Sequence, residues 1–425
     1  MTSYLPRVVD LDLDDLLDDL PAISLEGPRG VGKTATAQRR AKTIFKLDDP
    51  DELTLLAADP GRLDRVPYPA LIDEWQRYPT IWDLVRRSVD RDPTGGRFVL
   101  TGSASPVSAP THSGAGRIVS IRMRPMSLAE RGVYEPTVSL RDLLADTQPS
   151  IDGDTDVDLP TYTDEILRSG FPGIRDRRAR TRRVQLDSYL SRIVQRDFPD
   201  QGHSVRHPTA LRSWLSAYAA ATATTASYTT ILDAATPGED HKPAKSTTAV
   251  YREVLSQIWL LDPVPGWLPS RNPFVRLAQT PKHHLADPAL AARLLGATEA
   301  SLLTGRRNVG PQVPRDGTLL GALFESLVAL NLRVYSQASE ATVHHLRTVN
   351  GRQEVDFIVE RDDRKIVAFE TKLAPTVDDS DVVHLHWLRE QFSELVLDLA
   401  VINTGKHAYR RSDGVAVIPA CLLGP

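Results

Sequence analysis

The sequence predicts an α/β protein in which a parallel-sheet domain, a helical middle and a second α/β domain follow one another. Three observations predict it. Over the first 145 residues, short apolar runs ending in polar or glycine residues alternate with helically spaced segments, the pattern of a mainly parallel sheet. Between residues 206 and 305 helical spacing dominates. From about Gly317 an apolar helix leads into a series of strand-like runs. The 425 residues leave room for two to four domains at roughly 150 residues each. The expected divisions are 1–145, a linker with a basic helical segment over 146–205, a helical unit over 206–305, and an α/β domain over 306–425.

In the first division, residues 21–26 read as a strand that runs through a glycine-rich turn into a helix, Ala35 to Phe45. Pro69–Ile72 reads as a second strand and Arg97–Thr101 as a third, with an amphipathic helix from Trp82 to Val89 between them. Residues 142–161 are acidic, proline-bearing and poorly periodic, as in a linker or exposed loop. Arg168 to Arg196 holds nine arginines against Asp176 and Asp187, with a helix expected from about Arg180 to Gln195. Its basic face is either simply solvated or turned toward phosphates. Helices are expected over Leu211–Ala221 and Tyr228–Ala235, and a third from a Ser246-Thr247-Thr248 cap to Trp259. Leu260–Pro269 and Lys282–Asp287 follow as two wing strands. That order suits a winged helix, a unit that serves DNA binding or protein docking. In the last division Leu319–Leu332 reads as a helix. Val343–Arg347, Glu354–Glu360 and Lys365–Leu373 read as strands, Asp381–Phe392 as a helix and Leu395–Asn403 as a strand.

Composition narrows the class. Hydrophobic residues make up 41% and charged residues 25%, as in ordinary globular domains. No run approaches the roughly 18 apolar residues of a membrane span, so no membrane association is expected. The early stretch carries Asp10, Asp12, Asp14, Asp15, Asp18 and Asp19 without a basic region before it, unlike a secretory signal. Cys421 is the only cysteine, which rules out an internal disulfide and fits a reducing cytoplasm. Acids number 55 against 51 bases, a balance that does not advertise nucleic-acid binding but can hide local patches. Only nine of the bases are lysines. Arginine abundance is therefore weak information, and a lysine at a motif position is more telling.

Gly27-Pro28-Arg29-Gly30-Val31-Gly32-Lys33-Thr34 fits G-x-x-x-x-G-K-[ST] between an expected strand and an expected helix, the context that gives the motif meaning. Its glycines let backbone N–H groups wrap a β-phosphate, and the helix start adds positive potential. Lys33 would reach the β- and γ-phosphates and the Thr34 hydroxyl would bind Mg²⁺. Asp73-Glu74 follows Ala-Leu-Ile. Asp73 would hold the Mg²⁺ shell, and Glu74 would polarise the attacking water as general base. Ser103, in Thr101-Gly102-Ser103, stands where a γ-phosphate sensor belongs. The Asp-Glu pair favours an ATPase of the AAA+ kind, and no guanine-specifying Asn-Lys-x-Asp run is present. Arg117 is either an arginine finger acting across a subunit interface or a turn cap, and Arg86 and Arg87 are further finger candidates.

A second constellation lies in the last division. Glu325 interrupts an apolar helix, and Asp356, Glu370 and Lys372 lie in apolar strands. Glu370 and Lys372 share a strand face, as do Glu354 and Asp356, so Asp356, Glu370 and Lys372 can converge if the strands pair. Charges so placed cost free energy unless paired or liganding. Asp356 and Glu370 would offer hard oxygens to Mg²⁺ or Mn²⁺, Glu325 would add a ligand, and Lys372 would orient water or neutralise developing charge. A structural ion-pair network is the alternative.

With both sites in view, the chain resembles a broad family of prokaryotic AAA+ ATPases whose last region is a domain of unknown function with a restriction-endonuclease-like core. The stretches that carry the resemblance are Gly27–Thr34, Leu71–Glu74, Leu100–Ser103, Gly116-Arg117 through Arg124–Glu130, Gly170-Phe171-Pro172, Arg196-Asp197, Asp287-Pro288, Gly321–Val328, Glu354–Phe357, Glu370-Thr371-Lys372 and Tyr409-Arg410-Arg411. The resemblance implies an ATPase domain, a winged-helix-like middle and a PD-(D/E)XK nuclease-like end, with Val355 where the nuclease proline usually stands. The function expected is ATP-linked DNA binding or metal-dependent DNA processing by a self-associating protein using ATP and Mg²⁺, with Mn²⁺ as an alternative at the second site. The alternative is an ATP-gated switch that binds nucleic acid or protein without cutting. A third reading is a nucleotide-binding defence or toxin–antitoxin-type component acting on RNA.

Overall fold

The computed structural model describes residues 4–103, 114–203, 207–236, 243–269, 279–303, 319–348 and 351–425. The boundary expected at 305/306 lies outside them. Strands β1 (Ala22–Glu26), β2 (Thr43–Lys46), β3 (Ala70–Asp73), β4 (Phe98–Gly102) and β5 (Val119–Arg122) form one parallel sheet in the order β2-β3-β4-β1-β5. The central strands β3 and β4 are buried along their whole length, which is why they read as unbroken apolar runs. Side chains alternate between two cores. Ala22, Ala70, Ile72, Phe98 and Leu100 pack on one face with Ile81, Trp82 and Val85 of the helix Thr80–Arg91. Ile23, Leu25, Leu71, Val99 and Ile121 pack on the other, into a large core that runs on through the middle and last parts of the chain.

Two edge strands differ from the sequence expectation. The helix after the glycine-rich loop is only Lys33–Gln38, and Thr43–Lys46, expected as the end of that helix, is β2. Its β-branched and aromatic residues suit an edge strand, of which only Phe45 is buried. Strand β5 likewise buries only Ile121, too little apolar content to stand out in the sequence.

Strand β6 (Val138–Ser139) and strand β7 (Gly153–Asp154) lead to helices Leu159–Arg168, Pro172–Arg175, Ala179–Arg192, Pro208–Ala220, Tyr228–Ala235 and Lys245–Gln257. After the last of these, the chain forms two single antiparallel bridges, Leu261 with Leu285 and Val264 with Lys282, where two wing strands were expected. Helix Pro288–Leu294 then packs against Leu159–Arg168 and Pro208–Ala220.

Helix Leu319–Gln337 opens the last part. Its length and mean hydropathy of 1.3 would suffice for a membrane span, yet 72% of that window is buried inside the protein. It is docked on the first domain, where Asn331 Oδ1 accepts from the Leu128 amide at 3.0 Å and Gln337 donates to Asp12 at 3.1 Å. Strands β8 (Thr342–Arg347), β9 (Glu354–Glu360) and β10 (Ile366–Thr371) form an antiparallel meander. Helix Val383–Gln391 follows, and β11 (Val396–Asn403) pairs parallel with β10. Strands β12 (His407–Arg410) and β13 (Ala416–Pro419) complete a seven-stranded sheet in the order β7-β12-β13-β11-β10-β9-β8. The short strand β14 (Leu423–Gly424) pairs parallel with β6. Beside it the buried Cys421 sets its amide on the Tyr162 hydroxyl at 3.0 Å and its thiol against Thr155.

Candidate functional site

The glycine-rich loop leaves the end of β1 beside the ends of β3 and β4, the carboxyl-end crevice where open α/β sheets bind ligands. Gly27 has a φ of +150°, and a Cβ there would meet the Met123 carbonyl oxygen at 2.1 Å, so no other residue fits. Gly32 enters the helix with a φ of +108°. Lys33 is buried, and its ammonium donates to the Gly27 carbonyl at 2.7 Å and the Pro28 carbonyl at 2.9 Å. Burial pushes its pKa down to about 8, against the pull of Glu74 and Asp73.

Asp73, the last residue of β3, accepts from the Thr34 hydroxyl at 2.8 Å and from the Thr101 hydroxyl of β4. A hydroxyl and a carboxylate oxygen so placed fit Mg²⁺, which keeps waters and takes phosphate oxygens for its other positions. Glu74 has a positive φ of 55°, a strained setting that for a non-glycine residue is typical of functional sites. Its carboxylate accepts from the Gln76 side chain and lies 3.4 Å from the Ser103 hydroxyl. The structure thus brings Lys33, Thr34, Asp73, Glu74 and Ser103 together, and adds Thr101 and Gln76.

Three neighbours secure the loop that sequence reading did not assign. Arg7, from ahead of β1, donates to the Val31 carbonyl at 2.9 Å while paired with Glu130 at 3.0 Å. Arg29 pairs with Asp197 at 3.1 Å. Pro172 approaches Gly32. The stretches Gly170–Pro172 and Arg196-Asp197 therefore lie against the phosphate loop. Arg117 does not. It precedes β5, whose Val119 is level with Ile23 of β1, so it sits at the amino-terminal end of the strands, roughly 20 Å along the strand direction from the loop. There it pairs with Asp90 at 2.8 Å. It cannot contact this chain's own nucleotide. Arg86 pairs with Asp90 at 2.7 Å, and Arg87 is exposed on the same helix.

A buried cluster joins this domain to the rest. Asp262 accepts from Arg124 at 2.9 Å and pairs with Arg122 at 3.1 Å and with Arg333 of helix Leu319–Gln337. Burial alone would raise its pKa, but Arg122, Arg124 and Arg333 overcome this and hold it well below the usual carboxylate range.

The second constellation also converges, with an occupant the sequence reading did not foresee. Lys282 Nζ lies 2.8 Å from Glu325, 2.9 Å from Asp356 and 3.6 Å from Glu354. The other Asp356 oxygen accepts the Thr371 amide at 2.9 Å. Burial and the neighbouring Asp356 raise the Glu325 carboxyl to about 8, and the same two causes raise that of Glu370. Lys372 lies 3.9 Å from Glu370 and 3.4 Å from Asp381. Where the sequence led us to expect Mg²⁺ or Mn²⁺ on Glu325, Asp356 and Glu370, the structure sets the Lys282 ammonium against Glu325 and Asp356. An ammonium already takes the oxygens of Glu325 and Asp356, and among the described residues no group of three or more His, Cys, Asp or Glu is arranged to hold a metal ion.

Comparisons with known proteins divide along the same lines. Residues 159–301 match a Domain of unknown function (DUF8612) and residues 320–423 a Domain of unknown function (DUF4143). The uncharacterized proteins Rv2008c of Mycobacterium tuberculosis and Mb2031c of Mycobacterium bovis are each 26% identical to this chain over 410 residues, covering 94% of it and 80% of their own length. A solved Walker-type ATPase of Pyrococcus abyssi, PABY2304, is similar at 14% identity with a TM-score of 0.37, over 68% of this chain and 96% of its own. Residues 19–131 match the model of an AAA domain, and with the phosphate loop, Thr34, Asp73 and Glu74 in place at one sheet edge, the first domain is an AAA-type P-loop ATPase domain.

Proposed function

We propose that this chain is an ATP-hydrolysing switch whose nucleotide state governs a nuclease-like last domain that engages DNA without cutting it. The observation that carries the ATPase half is the carboxylate of Asp73 set between the Thr34 and Thr101 hydroxyls, with Glu74 next in the chain beside the open end of the loop. In this reading Lys33 leaves the loop carbonyls for the β- and γ-phosphates. Thr34 and Asp73 hold Mg²⁺, Glu74 takes the proton of the attacking water, and Ser103 reports the γ-phosphate.

For the last domain, the order of helix, three-stranded meander, helix and parallel strand supports a restriction-endonuclease-like core. Arg177, Arg178, Arg180, Arg183 and Arg196 are exposed on one segment, which supports a phosphate-contacting surface next to the nucleotide site. The middle helices followed by the bridged strap support a winged-helix-like unit. Arg117, turned away from its own loop, suits a finger reaching a second copy's nucleotide, so self-association belongs to this reading. A second reading is metal-dependent DNA processing, favoured by Asp356, Glu370 and Lys372 on neighbouring strands. Lys282 among the carboxylates favours binding without cleavage.

The test uses the purified full chain. Lys33→Ala should abolish ATP turnover, and ordinary turnover in that variant would remove the phosphate-loop assignment. Linear, single-stranded and branched DNA, and RNA, are then offered with Mg²⁺ or Mn²⁺, with and without ATP. Binding that weakens steeply with salt and changes with ATP, without cutting, is the expected result. Cutting that Lys372→Ala abolishes would establish the second reading instead.

A further inference from the structure

The middle of the chain places one lysine inside the carboxylate cluster of the last domain. Lys282 belongs to the strap after the third middle helix, where its backbone exchanges both hydrogen bonds with Val264 at 2.8 and 2.9 Å. Its side chain leaves that strap, passes over the Phe357 ring with Nζ 5.6 Å from the centroid, and ends between Glu325 and Asp356. The residue is 1% exposed. Three carboxylates from two elements of the last domain, Glu325 on its helix and Glu354 and Asp356 on β9, thus converge on one ammonium. Two of the contacts have the 2.7–2.9 Å length of charge-assisted hydrogen bonds.

A cluster of acidic side chains entering an apolar core needs a cation. A divalent ion would supply it in an open site. Here the two nearest oxygens already hold a proton-bearing nitrogen, and a dication sharing them would stand beside a buried ammonium, like charge against like charge in a low-dielectric interior. The lysine is not a wandering surface chain. Its backbone is locked to Val264, two residues beyond Asp262, the carboxylate that Arg122 and Arg124 hold against the first domain and Arg333 against helix Leu319–Gln337.

We propose that Lys282 is a built-in substitute for a divalent cation, supplied in cis by the middle segment to the Glu325–Glu354–Asp356 cluster, so that the last domain is complete without a metal ion. This rests on reading that domain as nuclease-like in shape, but the experiment reads metal uptake and not DNA, so failure of one does not entail failure of the other. Mn²⁺ binding to the nucleotide-free full chain is followed by loss of the electron paramagnetic resonance signal of the aqueous ion. Comparison with Asp356→Asn subtracts ions bound elsewhere. Wild type and Asp356→Asn should take up equal Mn²⁺. Lys282→Met should gain a saturable site that Lys282→Met/Asp356→Asn lacks. Wild type binding more Mn²⁺ than Asp356→Asn would overturn the proposal. So would a Lys282→Met protein with wild-type circular dichroism that gains no site, which would leave the cluster as an ion-pair network with no cation-shaped centre. If Lys282→Met does not fold, Lys282→Gln takes its place in the same comparison, with a gained site supporting the proposal and no gained site overturning it.

Discussion

Lys33 shows how a single residue couples its proton to phosphate binding. Its ammonium rests on two carbonyls of its own loop, and burial holds its pKa near 8 instead of the ordinary 10.5. Triphosphate oxygens would restore the charged form. The lowered value means that the empty protein binds fewer protons between those two pH values, so ATP binding should take protons up there. We expect calorimetry near pH 9, in buffers of different ionisation enthalpy, to show proton uptake with wild type and none with Lys33→Met. Proton release would contradict the assignment. At Glu74 the expectation separates binding from chemistry: Glu74→Gln should bind ATP with near wild-type affinity and lose hydrolysis by ~100-fold or more, the scale of a lost general base. A variant that fails to bind would make Glu74 structural. These residues were legible because their partners are written beside them in one motif or at the ends of apolar runs. Lys282 was not, because its partners lie 43 and 74 positions away and no local rule links a wing strand to a remote helix. The available signal was its rarity, one of nine lysines, beside the pair His283-His284.

Among the elements, the junction around Asp262 shows the largest consequence of one group. Three arginines, Arg122 ending β5, Arg124 just after it and Arg333 on helix Leu319–Gln337, meet one buried carboxylate, so Asp262→Asn leaves like charges facing one another. Removing one partner of a buried ion pair typically costs ~3–5 kcal/mol, and we expect urea unfolding near neutral pH to show a loss of that order. The sign of the pH response follows from the depressed pKa. The stabilisation is full above the unfolded carboxylate value of about 4 and is lost as pH falls through the lower folded value. Asp262→Asn should therefore show a shallower acid-side loss than wild type. An equal slope would assign the acid sensitivity to other groups. At this scale the sequence disclosed β1, β3 and β4, which are buried on both faces, and both long helices of the last domain. It did not disclose β2 and β5, because a solvated edge strand with one buried side chain carries almost no period.

For the whole molecule, the decisive fact is that the sheet of the first domain has one private face and one shared face. Ile23, Leu25, Leu71 and Val99 belong to the same core as Trp214, Leu290 and Phe324. A fragment of residues 1–145 would leave that shared face in water. At roughly 25 cal/mol per Å² of apolar surface that loss works directly against the small margin by which domains are stable. We expect such a fragment to lack a cooperative thermal transition, while the full chain melts cooperatively. A sharp melt of the fragment alone would show that the first domain is independent. The sequence marked where composition changes, yet it could not reveal that the parts share a core, since a shared interior reads as ordinary amphipathic pattern on both sides of each boundary.

The pairing of β14 with β6 gives the protein its own stopwatch. Cys421 is the sole thiol, and it sits under that clasp against Tyr162 and Thr155. Because Cys421 is buried, a thiol reagent reaches it only when the structure around it opens. The rate of labelling, compared with and without ATP, therefore times the opening of the structure around β14 and β6, with no label to engineer in and no second cysteine to blur the reading.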